Sequence, residues 1–185
     1  MFSSGPQGAG AKPATATMED LERMLAESPS AESVCLKVAQ ILGVHRDEVA
    51  LLRREKNSLR FVFPPELRAA GALPLSGSAI AARTAALRTP LLSNSFARVK
   101  HVRLFETVKL AAVEDDISQQ MPIQKIMSVP LLSLQGSVVG VVQVSRKGPD
   151  ASLAGADFTG DDLRRLGKAA EILARMGFMQ EGAEI

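Results

Sequence analysis

Tryptophan and tyrosine are absent from the 185 residues, and seven phenylalanines supply the whole aromatic content. Proteins that hold single-stranded nucleic acid need stacking platforms along a basic groove. With so few rings and a net charge of only +2, nucleic acid is not an expected partner. There is one cysteine, Cys35, which excludes an intrachain disulfide and any metal site made of thiolates alone. The two histidines, His45 and His101, form no His-Glu-x-x-His pair, and the chain has no phosphate-binding P-loop. No apolar run reaches the ~18 residues that a membrane span needs. Met1–Ala16 lacks the apolar core of a secretory signal. These absences lead us to expect a soluble cytoplasmic protein with no metal site, no catalytic residue that can be named, and no membrane partner.

What is present is ordinary for a folded chain: 46% hydrophobic and 23% charged residues. The length fits one domain with tails, large enough to bury roughly 68–70% of its unfolded surface. Residues 1–17 are mostly Ser, Gly, Pro, Ala and Thr, a composition that reads as a flexible tail. Residues 180–185 read the same way. The expected domain is 18–179.

Within it, Thr17 is a plausible N-cap for a short helix whose apolar stripe is Leu21, Met24 and Leu25. Ser30 caps a second helix with Val34, Val38, Ile41 and Leu42 on its buried face, and Gly43 stops it. The period then changes. Val49–Arg54 and Ser58–Phe63 form a hairpin in which Leu59, Phe61 and Phe63 alternate onto one buried face. Pro74–Gly77 is a loop, Ser78–Leu87 an Ala-rich helix, and Thr89–Ser93 an edge strand that tolerates Pro90. Residues 94–125 are irregular, with loose helical spacing from Val99 to Ala112. Ile126–Leu132 and Val138–Ser145 are strands joined at Gly136. Thr159 caps the last helix, striped by Leu163, Leu166, Ala170, Leu173 and Gly177. Strands in adjacent hairpins, with helices at both ends, predict an antiparallel α+β domain rather than a doubly wound parallel sheet.

Several stretches taken in order resemble a GAF domain. They are Ile41-Leu42-Gly43-Val44, Leu59-Arg60-Phe61-Val62, Leu75–Arg83 followed by Pro90-Leu91-Leu92, Ser128-Val129-Pro130-Leu131-Leu132, Val139–Val144, and Asp157–Leu163. The resemblance covers about Ser30 to Phe178. It implies a six-stranded antiparallel sheet between helices, with N- and C-terminal helices packed together and a pocket on one side of the sheet. The implied function is that of a bacterial-type sensory and regulatory module. It would bind a small molecule in that pocket and signal through its helices to a separate partner protein. Outside the match lie only a short helix and two short tails, so no attached output domain is expected.

The family's known chemistries narrow the reading. Ser145-Arg146-Lys147 stands where binders of cyclic GMP often carry Asn-Lys, and Asp161-Asp162 read as favourable acids in a first helical turn. Covalent tetrapyrroles need a suitably placed cysteine, whereas Cys35 reads as a buried apolar residue. The family's methionine sulfoxide reductases recycle through a disulfide, which one cysteine cannot form. A non-enzyme is therefore expected. Ile80 and Ala81 match the family position where a helix start lines the pocket. Arg83, Arg88, Arg98, Lys100, Arg103 and Lys109 face only Glu106 in this stretch. Of these, Arg98, Lys100 and Arg103, with His101, fall where the pocket would be capped, and Phe96 and Phe105 lie close by in sequence. Cations and ring faces together suit a small anionic or polar-aromatic ligand. The alternative is a solvated basic face over core phenylalanines. Gln143, in a strand of valines, must be hydrogen-bonded within the fold, face water, or face a polar ligand. Leu21, Met24 and Leu25 need a partner, which pairing of first and last helices across a homodimer would supply. The competing function is a ligand-free dimerisation or protein-interaction module.

Overall fold

The computed structural model describes residues 15–98 and 121–180. Its centre is a six-stranded, wholly antiparallel sheet. The strands are β1 (Val49–Glu55), β2 (Ser58–Phe63), β3 (Ala72–Pro74), β4 (Leu91–Ser93), β5 (Ile123–Leu132) and β6 (Val138–Lys147), in spatial order β3-β2-β1-β6-β5-β4. The α+β class and the six-stranded sheet agree with the sequence reading.

The helices divide between the two faces. One face carries α1 (Met18–Met24), α2 (Ala31–Leu42), α4 (Gly160–Leu173) and the short α5 (Gly177–Gln180). Their apolar stripes meet Leu51, Met127, Val129, Leu131, Val142 and Val144 of the strands in the main core. The other face carries α3 (Ile80–Leu87), which packs Ala81 and Ala85 on Ala50, Leu52, Leu59, Phe61 and Val141. Successive strand side chains point to opposite faces, which is why β1 gives Leu51 to one layer and Leu52 to the other.

The helix starts follow their caps. The Thr17 backbone and hydroxyl both donate to Asp20, and Asp20 N donates back to Thr17 Oγ1. At α4, Asp162 N donates to Thr159 Oγ1 and Thr159 N to Asp162 Oδ2. These reciprocal bonds satisfy amides that no intrahelical carbonyl can reach.

Four sequence expectations are corrected. Leu59, Phe61 and Phe63 do not share a face: β1–β2 register shifts between Leu51 and Leu52, so Phe61 opposes Leu52 while Phe63 opposes Leu51. This bulge places Phe63 in the main core and leaves Leu59 and Phe61 under α3. The stretch taken as a loop begins with β3, whose Leu73 pairs with Leu59. The strand taken to begin at Ile126 begins at Ile123. Its extra residues include buried Gln124 and Lys125, whose polarity hid them. The Gln124 amide donates to Gly148 O at 3.0 Å, and Lys125 Nζ reaches Gly155 O at 2.6 Å and Asp157 Oδ1 at 2.8 Å. Finally, Leu21 is fully buried within the single chain, in the same cluster as Leu166 and Ala170 of α4. The apolar stripe of α1 therefore already has its partner. The two expected tails fall mostly outside the described residues.

Candidate functional site

The α3 side of the sheet contains a small chamber. Its walls come from the turn before β1 (Asp47, Glu48), β1 (Val49, Ala50), the residues after β2 (Pro64, Leu67), β5 (Ile123, Ile126) and β6 (Gln143, Ser145, Lys147). Its volume is about 10 Å³, room for roughly one water molecule.

Polar groups at one end are committed to structure. Glu48 is buried, and its carboxylate accepts from the His45 amide at 2.8 Å and the Lys147 amide at 2.9 Å. Ser145 Oγ donates to Glu48 O at 3.3 Å, and Lys147 Nζ donates to Asp47 O at 2.7 Å. His45 is thus held by its backbone at an exposed corner, away from any axial-ligand role.

The other end is different. Gln143 Nε2 donates to Ser128 Oγ at 3.2 Å, and Ser128 Oγ lies 2.8 Å from Thr84 Oγ1. Thr84 Oγ1 also donates to Ile80 O at 2.8 Å. Each hydroxyl has one proton. Because Thr84 spends its proton on Ile80, Ser128 must donate to Thr84 and accept from Gln143. The relay runs one way, from the Gln143 amide through two hydroxyls to the first carbonyl of α3. It holds the Gln143 amide so that Oε1 points away from Ser128. Gln143 is 3% exposed, and Oε1 is a buried acceptor with no hydrogen-bond partner. A buried carbonyl left unpaired costs about 1–3 kcal/mol, so this atom calls for a donor.

The residues singled out from the sequence divide. Ile80, Phe96, Ile123 and Ile126 form one small cluster, and Ala81 sits beside it against Ala50 and Leu52. These three expected site residues therefore share the α3 side and back the chamber, but none lines it. Arg98 ends a 3₁₀ turn, Phe96–Arg98. Lys100, His101, Arg103 and Phe105 lie outside the described residues. Arg83 is exposed, and Arg88 lines a groove next to α4 on the other face. Ser128, Thr84 and Glu48 were not foreseen. Their signal, a polar residue inside an apolar element, was visible only at Gln143.

The GAF domain family profile matches residues 30–175. The chain belongs to the GAF domain family. Solved structures share its fold. The GAF domain of an Acinetobacter phosphoenolpyruvate-protein phosphotransferase is 14% identical, covers 91% of this chain and 93% of its own, and superposes with a TM-score of 0.62. The GAF domain of A. aeolicus nlh2, in an inactive state, is 15% identical over 90% and 94%, with a TM-score of 0.58. A free methionine-R-sulfoxide reductase from Neisseria meningitidis, in complex with its substrate, is 16% identical over 90% and 89%, with a TM-score of 0.57. At such identities the likeness is one of fold. No curated protein sequence matches the chain.

This GAF domain's single thiol stands apart from the chamber. Cys35 lies on α2 in the main core, across the sheet, 1% exposed, and burial pushes its thiol well above the ordinary range. Thiolate is the reactive form, so Cys35 is unsuited to nucleophilic or redox work. Among the described residues no group of three His, Cys, Asp or Glu side chains could hold a metal ion. No helix of the described residues is long and apolar enough to cross a membrane.

Proposed function

We propose that this GAF domain is a non-catalytic sensory module of the cytoplasm. It takes a small ligand into the α3-side chamber and signals to a partner protein through the helices packed on the opposite face. The observation that carries this reading is Gln143 Oε1, buried, oriented by a relay, and unpaired. A ligand N–H or O–H meets that need, so the chamber wall favours a donor-bearing ligand. The expected anionic character rests on Arg98, Lys100 and Arg103, whose side chains are not among those described. The non-catalytic part is supported by the burial and raised pKa of Cys35. Binding that fills the chamber would press on β6, whose Val142 and Val144 abut the main core, giving a mechanical route to α4.

A second reading, a ligand-free interaction module, draws on one observation: the chamber's volume of about 10 Å³. Native mass spectrometry of freshly purified full-length protein, followed by denaturing mass spectrometry, separates the two. Excess mass in the native spectrum supports the sensor, and its absence favours the interaction module. The same spectrum counts chains and so tests the homodimer that the sequence suggested.

A further inference from the structure

The largest opening among the described residues is not the chamber but a groove of about 600 Å³ on the opposite face, between α4 and β5. Three features define what it can hold. First, β5 has an open edge there. β4 pairs only with Ile126, Met127 and Ser128, whereas β6 continues along β5 as far as Leu132. Val129–Leu132 are therefore paired with a strand on one side only. An open edge of four residues spans roughly 13 Å and presents backbone groups to an added strand. Second, the floor is apolar, built from Val129, Pro130 and Leu163. Gly160 and Gly167 face open space, with no atom within 4 Å of where a Cβ would stand, so α4 leaves the groove wide. Third, the rim is basic: Arg88, Arg164 and Lys168 against Glu171. Arg164 is paired with Asp161, whereas Arg88 and Lys168 make no ion pair among the described residues.

We propose that this groove docks an extended acidic segment of a partner protein, added as a strand along the Val129–Leu132 edge. Main-chain pairing supplies the affinity of such strand addition, and alternate side chains supply its specificity. Apolar side chains at every second position of the segment meet Val129 and Leu163. The intervening carboxylates meet Arg88 and Lys168, which desolvate little and gain a counter-charge. Pro130 limits the pairing, since it donates no N–H, and so makes the edge selective for short segments rather than open to indefinite growth.

The test uses the full-length chain and three fluorescein-labelled heptapeptides: Val-Glu-Val-Glu-Val-Glu-Val, its lysine counterpart, and the acidic peptide N-methylated at alternate residues. The expected result is saturable anisotropy with the acidic peptide only, with amide shifts at Val129, Leu131 and Leu132 in 1H–15N spectra. Raising NaCl from about 50 to about 300 mM weakens binding, because exposed pairs are screened. Arg88→Glu with Lys168→Glu, both on exposed positions, weakens it about tenfold. Gln143→Leu leaves it unchanged, so failure here is separate from failure of the sensor reading. The proposal is overturned if the acidic peptide fails to bind at about 1 mM, or if the acidic and basic peptides bind alike. N-methylation that leaves affinity intact, or charge reversal that alters only self-association of the chain, overturns it too.

Discussion

The Gln143 amide nitrogen donates to Ser128 Oγ at 3.2 Å across the β5–β6 pair, and that one bond fixes where the other end of the amide points. Ser128→Ala removes the acceptor and strands a buried N–H, at a cost of about 1–3 kcal/mol. Gln143→Leu removes the stranded carbonyl and the N–H together, and Ser128 still donates to Thr84. Its stability is expected to lie within about 1 kcal/mol of the parent. Urea denaturation of both variants checks the order. A Gln143→Leu variant that loses more stability than Ser128→Ala would show that Oε1 is already satisfied in the folded chain.

The loop before α4 hangs on two side-chain attachments. Lys125, 4% exposed, holds Gly155 O and Asp157, and Asn94 exchanges two hydrogen bonds with the Phe158 backbone, at 2.8 and 3.0 Å. The two ends of the Lys125–Asp157 pair differ, because the Asp157 side chain is 71% exposed. Asp157→Ala is expected to cost under about 1 kcal/mol. Lys125→Ala, which vacates a buried site, is expected to cost roughly 2–3 kcal/mol. Amide exchange across residues 149–158 should quicken in the second variant and barely change in the first. Equal effects would contradict this assignment.

Two glycines make an opposed pair. A Cβ at Gly140 would lie 2.3 Å from Leu52 O, a backbone atom that cannot step aside. Gly140→Ala is expected to cost about 3 kcal/mol or more. Gly167 sits within α4 with open space at the Cβ position. Gly167→Ala is expected to stabilise by about 0.5–1 kcal/mol. Thermal unfolding of the two variants gives shifts of opposite sign if the packing is as described.

Acid sensitivity begins at α1. The backbone and then the side chain of Thr17 donate to Asp20, which hold its carboxyl below the usual carboxylate range. A folded pKa below the unfolded value stabilises the ordered state above the unfolded pKa, and that contribution disappears as pH falls through the folded value. Asp20→Asn is therefore expected to loosen α1 at neutral pH and to flatten its response below about pH 4. Amide exchange over residues 18–24, followed from pH 6 downward, reads both effects. An unchanged acid profile in the variant would count against the cap.

Much of this fold was legible. Caps at Thr17, Ser30 and Thr159 and the valine-rich β6 announce themselves by local chemistry, and the ordered motifs led to the GAF family. What was hidden depends on distant partners. Lys125 reads as loop until Gly155 and Asp157 are seen around its ammonium, and Phe63 reads as a face-mate of Phe61 until the bulge separates them. The site was legible only in outline. Ile80, Ala81 and Phe96 fall on the correct side of the sheet but behind the chamber wall. Gln143 drew notice as a polar break in a valine run. That only one of its two polar atoms is paired required the positions of Ser128 and Thr84, distant in sequence.

The most direct test of the sensor is a crystal structure of the freshly purified full-length chain at a resolution that separates water from organic density. The account predicts a bound small molecule whose N–H or O–H lies ~3 Å from Gln143 Oε1. A single water at that position, or a Gln143 amide turned to leave no unpaired acceptor, would contradict it.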